Sequence, residues 1–317
     1  MAFDVRTCGP ERLPPPVPFF PAMTPQAPAT THYFTVDVEE YFQVKALESV
    51  VPRESWLAQP SRLARSMDEL LHMLARHEAR GTFFTLGWIA RHRPAIVRAI
   101  ADAGHEVASH GFSHERVTAQ SRSAFRADLI SSKHALEDVT GVEVLGYRAP
   151  SFSIVPGWEW AFDTLIETGY VYDSSLFPIR RDGYGYASAL RVPHLIERAG
   201  GRLAEFPLAT TSFFGYPIPA AGGGYLRQLP LGITRRAFRQ ANERGQPATF
   251  YIHPWEIDPG QPRLPVSTLN TIRHYRGLAS TMRRVDTIVS EFRFGAIADS
   301  VRRLTGPVHT LAAARAT

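Results

Sequence analysis

The strongest constraint on the fold is a repeated unit in which a short apolar segment ends at a polar residue and a segment with helical spacing follows. The apolar segments are residues 33–36, 82–86, 106–109, 145–147, 170–172 and 249–252. Strands that alternate with helices of about 10–15 residues are typical of parallel βαβ units. We therefore predict an α/β fold in which parallel strands close into a barrel.

The polar residues that end these segments are the candidates for chemistry. They include Asp37, His110, Arg148, Asp173 and His253. In barrels of parallel strands, the loops that follow the strands converge at one mouth, where active sites lie. We therefore expect these five side chains to meet.

His110 and His114 are four residues apart. On a helical turn this spacing places two side chains about 5–6 Å apart, so both rings could bind one cation. The alternative is that they line or cap a surface loop. The position of His110 at a strand end favours the metal site, which a carboxylate and a water would complete.

Composition excludes several classes of function. Cys8 is the only cysteine, so an internal disulfide and a cysteine-ligated zinc site are excluded. The formal charge is +5, but basic residues are scattered among acidic ones, unlike the clusters of nucleic-acid surfaces. No apolar stretch reaches the roughly 18–20 residues of a membrane span. We expect no nucleic-acid partner and no membrane span, and we make no prediction of oligomeric state.

The ends of the chain differ from its middle. Residues 1–30 contain eight prolines and no apolar run typical of a signal peptide. We predict a flexible Pro-rich leader over 1–30, a barrel over 31–305, a tail over 306–317 and a cytoplasmic location.

Five short segments resemble, in the same order, the motifs of carbohydrate esterase family 4, the polysaccharide deacetylases with homology to nodulation protein B. The segments are residues 35–40 (TVDVEE), 109–114 (SHGFSH), 148–151 (RAPS), 172–175 (YDSS) and 252–254 (IHP). The resemblance covers about residues 33–294 and implies a distorted (β/α)7-type barrel.

The resemblance also implies roles on one side of the site. His110 and His114 would bind one divalent metal, most often zinc. Asp37 would be the general base that deprotonates water, and Arg148 would pair with it, unless that pair is only structural. The backbone N–H of Ser151 would stabilise the oxyanion.

On the other side, the resemblance implies that His253 protonates the departing amine. Asp173 would orient His253 and keep it protonated. The alternatives are a buried structural role for His253 and a turn or helix-capping role for Asp173.

One departure from the family concerns the third metal ligand. The family has adjacent aspartates in its first motif, whereas Asp37 is followed by Val38, Glu39 and Glu40. Strand side chains alternate, so Asp37 and Glu39 should share a face. We predict Glu39 as the ligand, with Glu40 as the alternative if the chain already turns there.

A narrower resemblance concerns residues 37–42, 253–259 and 273–277, which are similar to deacetylases linked to exosortase and exopolysaccharide gene clusters. Residues 258–281 would be a family-specific insertion near the site. His274 and Tyr275 could line a groove there or simply pack. Tyr225 and Trp255 could offer faces to sugar rings.

Together these features predict a metal-dependent hydrolase that removes N-acetyl groups from amino sugars of an exopolysaccharide or chitooligosaccharide and releases acetate. Relatives with altered first motifs hydrolyse cyclic amides or formamides, so an amidase is one alternative. An inactive carbohydrate-binding homologue is the other.

Overall fold

The structure is a computed structural model that describes residue 1 and residues 30–181, 183–301, 303–304 and 307–309. Residues 2–29 of the leader predicted over 1–30, and most of the tail predicted over 306–317, therefore lie outside the described residues.

Strands and helices alternate along most of the described chain. The strands are β1 Thr31–Val38, β2 Thr82–Thr85, β3 Glu106–Ser109, β4 Gly146–Tyr147, β5 Tyr172–Asp173, β6 His194–Arg198, β7 Gly201–Glu205, β8 Thr210–Phe213, β9 Tyr216–Pro219, β10 Thr249–Ile252, β11 Arg293–Gly295 and β12 Val308–His309. The helices are α1 Leu63–Arg76, α2 Gly87–His92, α3 Pro94–Asp102, α4 Arg122–Thr140, α5 Trp160–Glu167, α6 Gly223–Gln228, α7 Leu231–Glu243, α8 Thr268–Tyr275, α9 Leu278–Glu291 and α10 Ala298–Val301.

A closed ring of parallel strands forms the centre. β10, β1, β2, β3, β4, β5 and β7 are neighbours in that order, and each of these pairs is parallel. A parallel bridge between Leu208, just after β7, and Thr249 of β10 closes the ring. The predicted distorted (β/α)7-type barrel is confirmed, and the short β4 and β5 account for its distortion.

Local sequence signals explain the elements around the ring. Pro94 occupies the first turn of α3, where its missing N–H is not needed. α4 ends at Gly141, which adopts φ 68° as a left-handed C-cap. α2 was not predicted, because its six residues carry too short a pattern to show helical spacing.

The C-terminal part of the chain adds to the barrel rather than forming a separate sheet. β11 pairs in parallel with the beginning of β1. The segment 258–281 contains α8 and the beginning of α9. None of the described helices is long and apolar enough to cross a lipid bilayer.

Candidate active site

The carboxyl ends of β1, β3, β4 and β10 bring the predicted polar side chains to one mouth. Asp37 and Glu39 both approach His253 Nε2, at 3.7 Å from Asp37 Oδ2 and 3.6 Å from Glu39 Oε1. The two carboxylates therefore share a face, as strand alternation predicted.

His110 and His114 also come together, but not on a helical turn. Their ring centroids lie 5.3 Å apart, while residues 110–114 form an irregular loop. Gly111 and His114 have φ values of 75° and 53°, which an α-helix does not allow. The expected helical turn is wrong, because positive φ angles reverse the chain and bring the rings to the same side.

Asp128 of α4, which the sequence analysis missed, fixes this loop. Its Oδ2 accepts a hydrogen bond from the Phe112 N–H at 3.0 Å, and a Cβ at Gly111 would lie 2.9 Å from the same oxygen. Burial raises the pKa of Asp128 to about 6 despite its backbone hydrogen bonds. Its distance in sequence from the histidines left no local signal.

One ligand atom from each of Glu39, His110 and His114 can be chosen so that all three lie within 4.8 Å of one another. His110 Nδ1 lies 2.8 Å from the Arg148 carbonyl, so this nitrogen carries the proton and Nε2 keeps its lone pair. Burial lowers the pKa of His110 to about 4, so the ring is neutral near pH 7. The donor set fits a divalent metal such as zinc.

The surroundings of the Glu39 carboxylate also suit it to bind a metal. Trp255 Nε1 donates to its Oε1 at 3.1 Å, and its buried Oε2 lies 2.8 Å from His114 Nε2. Burial raises the pKa of Glu39, but attraction to His114 and His253 outweighs burial and lowers it to about 2. A buried carboxylate oxygen and an imidazole nitrogen this close to each other are ligand atoms that one divalent cation could bind.

Glu40 has other partners. Its carboxylate accepts a hydrogen bond from the Ser61 hydroxyl, lies 3.2 Å from Arg93 Nε and accepts from the Arg62 N–H. These contacts point the side chain toward α1 and α2. The geometry therefore favours Glu39 over Glu40 as the third ligand.

Arg148 is fully buried and contacts Asp37 directly. Its Nη1 donates to Asp37 Oδ1 and to Thr35 Oγ1, both at 2.7 Å, and its Nε donates to the Ser174 carbonyl at 2.9 Å. Its guanidinium also lies 4.1 Å from the centre of the Phe84 ring. The arrangement orients Asp37 and leaves Oδ2 facing the mouth.

The partner of His253 is Glu256, not Asp173. His253 Nδ1 lies 2.6 Å from Glu256 Oε1, and Arg227 Nε lies 3.2 Å from Glu256 Oε2. Burial lowers the pKa of His253, but the Glu256 hydrogen bond and the charges of Glu39 and Asp37 outweigh burial and raise it to about 9. The spacing of three residues within a 3₁₀ turn, Pro254–Ile257, was the available signal.

Asp173 instead forms a turn at the end of β5. Its two carboxylate oxygens accept from the Ser175 N–H at 2.9 Å and the Ser175 hydroxyl at 2.6 Å. Ser175 Oγ in turn accepts from the Ala149 N–H. The predicted contact with His253 is therefore corrected: Asp173 supports the backbone beside Arg148, the turn role that was the alternative.

A cavity of about 260 Å³ is lined by the residues predicted to act as base and acid and by those predicted to bind substrate. Its lining includes Asp37, His253, Ser151, Tyr225 and Trp255, together with Glu39, Val44, Lys45, Ala46, His114, Phe152, Tyr184, Tyr251, Arg273 and His274. Ser151 adopts φ 55°, a strained conformation that is typical of functional loops.

Two of the predicted sugar-facing aromatics differ in their surroundings. Trp255 is buried and stacks on His253 and His274, with ring centroids 5.2 and 4.3 Å away, so the indole face already contacts protein side chains. Tyr225 is half-buried, and its hydroxyl lies 2.5 Å from that of Tyr184. Tyr275 is buried and packs, as the alternative predicted.

Two family descriptions match separate parts of the chain. The polysaccharide deacetylase family matches residues 59–155, and a domain of unknown function, DUF3473, matches residues 174–302. Together with the relatives described next, the first match confirms the predicted resemblance to polysaccharide deacetylases. The exosortase-linked subgroup stays a prediction.

Curated relatives match over short segments. A peptidoglycan deacetylase of Helicobacter pylori is 32% identical over 34% of this chain and 36% of its own length. A chitooligosaccharide deacetylase of Sinorhizobium fredii is 34% identical over 22% of this chain and 32% of its own. The chain thus spans about a third of these relatives.

Solved structures extend the likeness of the fold to most of the chain. A Mycobacterium smegmatis protein assigned as a polysaccharide deacetylase has a TM-score of 0.61 at 21% identity, covering 92% of this chain and 98% of that one. PuuE allantoinase has a TM-score of 0.56 at 14% identity, covering 86% and 89%. At these identities the likeness shows the barrel alone.

Proposed function

We propose that this protein is a metal-dependent N-deacetylase that hydrolyses the N-acetyl group of an amino sugar within an oligo- or polysaccharide. The observation that carries the proposal is the convergence of Asp37, His253 and the Glu39, His110 and His114 cluster on one cavity. The names of the curated relatives, which are deacetylases of peptidoglycan and chitooligosaccharides, support the same reaction.

Glu39, His110 and His114 would hold the metal, which polarises the acetamide carbonyl and makes water more acidic. Asp37 Oδ2 takes the proton of the attacking water, because Oδ1 is already held by Arg148. A base held in place in this way contributes about 10²–10⁴-fold to a rate.

His253 acts on the other side of the scissile bond. The cationic ring donates its Nε2 proton to the departing nitrogen, which cannot leave as an anion near neutral pH. His253 Nδ1–H stays hydrogen-bonded to the Glu256 carboxylate. The ring becomes cationic again when its Nε2 takes up a proton from Asp37 or from solvent. The products are acetate and a free amine.

The shape of the site supports a chain substrate rather than a small amide. The reaction cavity shares Lys45, His114 and Ser151 with a smaller cavity of about 110 Å³ on one side. It shares Tyr184, Tyr225, Tyr251 and Arg273 with a cavity of about 640 Å³ on the other. Sugars could therefore bind on both sides of the reacting residue, as in an exopolysaccharide or chitooligosaccharide.

The test is acetate release from defined N-acetylglucosamine oligomers, with metal content measured on the same samples. We expect turnover that is lost in chelator, restored by zinc, and abolished by His114→Ala together with metal binding. Asp37→Asn should lose turnover but keep its metal. Equal activity of wild type and His114→Ala would overturn the metal mechanism.

The same experiment separates the alternatives. Hydrolysis of allantoin or a formamide without acetate release from the oligomers would identify an amidase. Oligosaccharide binding with no turnover by the zinc-loaded wild type would identify a carbohydrate-binding homologue.

A further inference from the structure

The cavity of about 640 Å³ beside the reaction cavity has its own chemical character. Its lining consists of Arg180, Arg181, Tyr184, Gly224, Tyr225, Gln228, Tyr251 and Arg273 among the described residues. Its volume lies within the roughly 300–1,000 Å³ of small-molecule sites. Because it shares three tyrosines and Arg273 with the reaction cavity, both can be filled by one chain.

Charge distinguishes this cavity from the one on the opposite side. The described lining of the larger cavity includes three arginines and no carboxylate. The described lining of the smaller cavity contains Lys45, Arg53 and Arg116, and Glu48 and Glu115 offset two of these three charges. Among the described lining residues, the excess of positive charge is therefore three in the larger cavity and one in the smaller.

The floor of the larger cavity is fixed by close packing. A Cβ at Gly223 would lie 2.3 Å from Tyr251 Oη, so only glycine lets α6 approach Tyr251 this closely. α6 then presents Tyr225 beside Tyr184. The two rings form a firm polar and aromatic floor beneath the exposed arginines.

Arg273 is held by the same network that supports the acid. Arg227 Nη2 donates to the Arg273 carbonyl at 3.0 Å, and Arg227 Nε lies 3.2 Å from Glu256. The backbone of α8 therefore keeps a fixed position relative to His253. The guanidinium of Arg273 projects from this fixed backbone into both cavities.

We propose that Arg180, Arg181 and Arg273 bind an anionic group of the substrate, a carboxylate or a phosphate, on a sugar next to the one that is deacetylated. The planar guanidinium matches both anions with two parallel hydrogen bonds. The aromatic floor would carry the sugar that bears the anion. This inference rests on the proposed function and specifies its substrate class.

The test compares three oligosaccharides of equal length: an N-acetylglucosamine tetramer, one with uronic acids at alternate positions, and the tetramer carrying a reducing-end phosphate. The readout is the ratio of kcat/KM for each anionic substrate to that for the neutral one. We expect the wild type to prefer one anion about tenfold, equivalent to about 1.4 kcal/mol. Which of the two substrates is preferred shows whether the arginines recognise a carboxylate or a phosphate.

The variants are Arg273→Gln and the double substitution Arg180→Gln with Arg181→Gln. Both should bring the ratio close to one, and raising salt to about 0.5 M should do the same to wild type. The matched control removes two exposed arginines of α3 and α4, Arg98→Gln with Arg126→Gln, and should keep the ratio. An unchanged ratio in the test variants would overturn the inference while leaving the proposed function intact.

Equilibrium binding to Asp37→Asn gives a readout that does not depend on turnover. The anionic oligosaccharide should bind about tenfold more tightly than the neutral one, and the arginine substitutions should remove the difference. Failure of acetate release with selective binding would reject the deacetylase and keep the anion site. Equal binding of all three would reject the anion site.

Discussion

The proposed metal side and the proposed acid side of the cavity are built differently. Glu39, His110 and His114 follow two strands of the barrel, and the hydrogen bond from the Phe112 N–H to Asp128 fixes the loop that carries both histidines. On the acid side, His253 depends on Glu256, which depends on Arg227 and through it on the backbone of α8. One side is set by strand ends, the other by a buried chain of ion pairs.

Two of the three predicted metal ligands, His110 and His114, lie in a different family match from His253. Residues 59–155 match the polysaccharide deacetylase family, and residues 174–302 match a different domain description. The proposed acid His253 and its partners Glu256 and Arg227 therefore lie in the part that matches DUF3473, together with the arginine-lined cavity. We infer that the metal side fixes the reaction and that the other half tunes acid positioning and substrate choice.

The largest effect is expected on the metal side, from Glu39→Gln. Removing the charge of a buried ligand should lower metal content strongly and kcat by about 10³-fold, because a Lewis-acid metal contributes several kcal/mol. Glu40→Gln is the matched control, one residue away and equally buried. It should keep the metal but unfold more easily, since it loses its charge opposite Arg93.

Metal content by elemental analysis and the urea midpoint of each variant check this prediction. If Glu40→Gln lost the metal and Glu39→Gln kept it, the assignment of the third ligand would be reversed.

The next effect is on the acid side. His253→Asn should lower amide hydrolysis by about 10²-fold, the lower range for a general acid. It should change hydrolysis of an aryl acetate much less, because a phenolate leaves without protonation. Rates for both substrates on one metal-loaded preparation give the measurement. Equal losses on amide and ester would show that His253 supports the cavity rather than donating a proton.

The same difference explains why only some of the site residues could be predicted from the sequence. The barrel, Asp37, Arg148 and the two histidines follow from strand ends, where position along the chain dictates position in space. The choice between Glu39 and Glu40 needed the contacts of Ser61 and Arg93. Asp128 and Arg227 were missed, because their partners are set by packing between helices and loops, which leaves no local pattern. Glu256 was missed although its spacing of three residues from His253 was a local signal.

A smaller effect separates Glu256 from Asp173. Glu256→Gln should lower amide kcat about tenfold, because a hydrogen bond to a charged group is worth about 1.5 kcal/mol. It should show the same selective loss on amide over aryl acetate as His253→Asn, which a purely structural role would not produce. Asp173→Asn should affect both substrates equally. A selective amide loss in Asp173→Asn alone would restore the original assignment of Asp173 as the partner of His253.

The smallest effect concerns Glu205, a fully buried carboxyl group at the end of β7 whose Oε2 has no hydrogen-bond donor among the described residues. Burial and the adjacent Asp173 carboxylate raise its pKa well above the usual range. Asp173 accepts two hydrogen bonds from Ser175, so it stays the charged partner and Glu205 carries the proton.

A raised pKa in the folded state means that the folded protein binds the proton more tightly than the unfolded chain does. The contribution of Glu205 to stability is then fully present below its unfolded pKa, near 4.5, and is lost as pH rises through the folded pKa. Glu205→Gln mimics the protonated form, so its free energy of unfolding should change little relative to wild type at pH 5 and should exceed that of wild type at pH 8.5 by at least about 1 kcal/mol. Urea unfolding of metal-free protein at both pH values checks this. Glu197→Gln, an exposed residue of the neighbouring β6, should show no such gain, and an equal gain in both variants would assign the effect to net charge rather than to the buried pair.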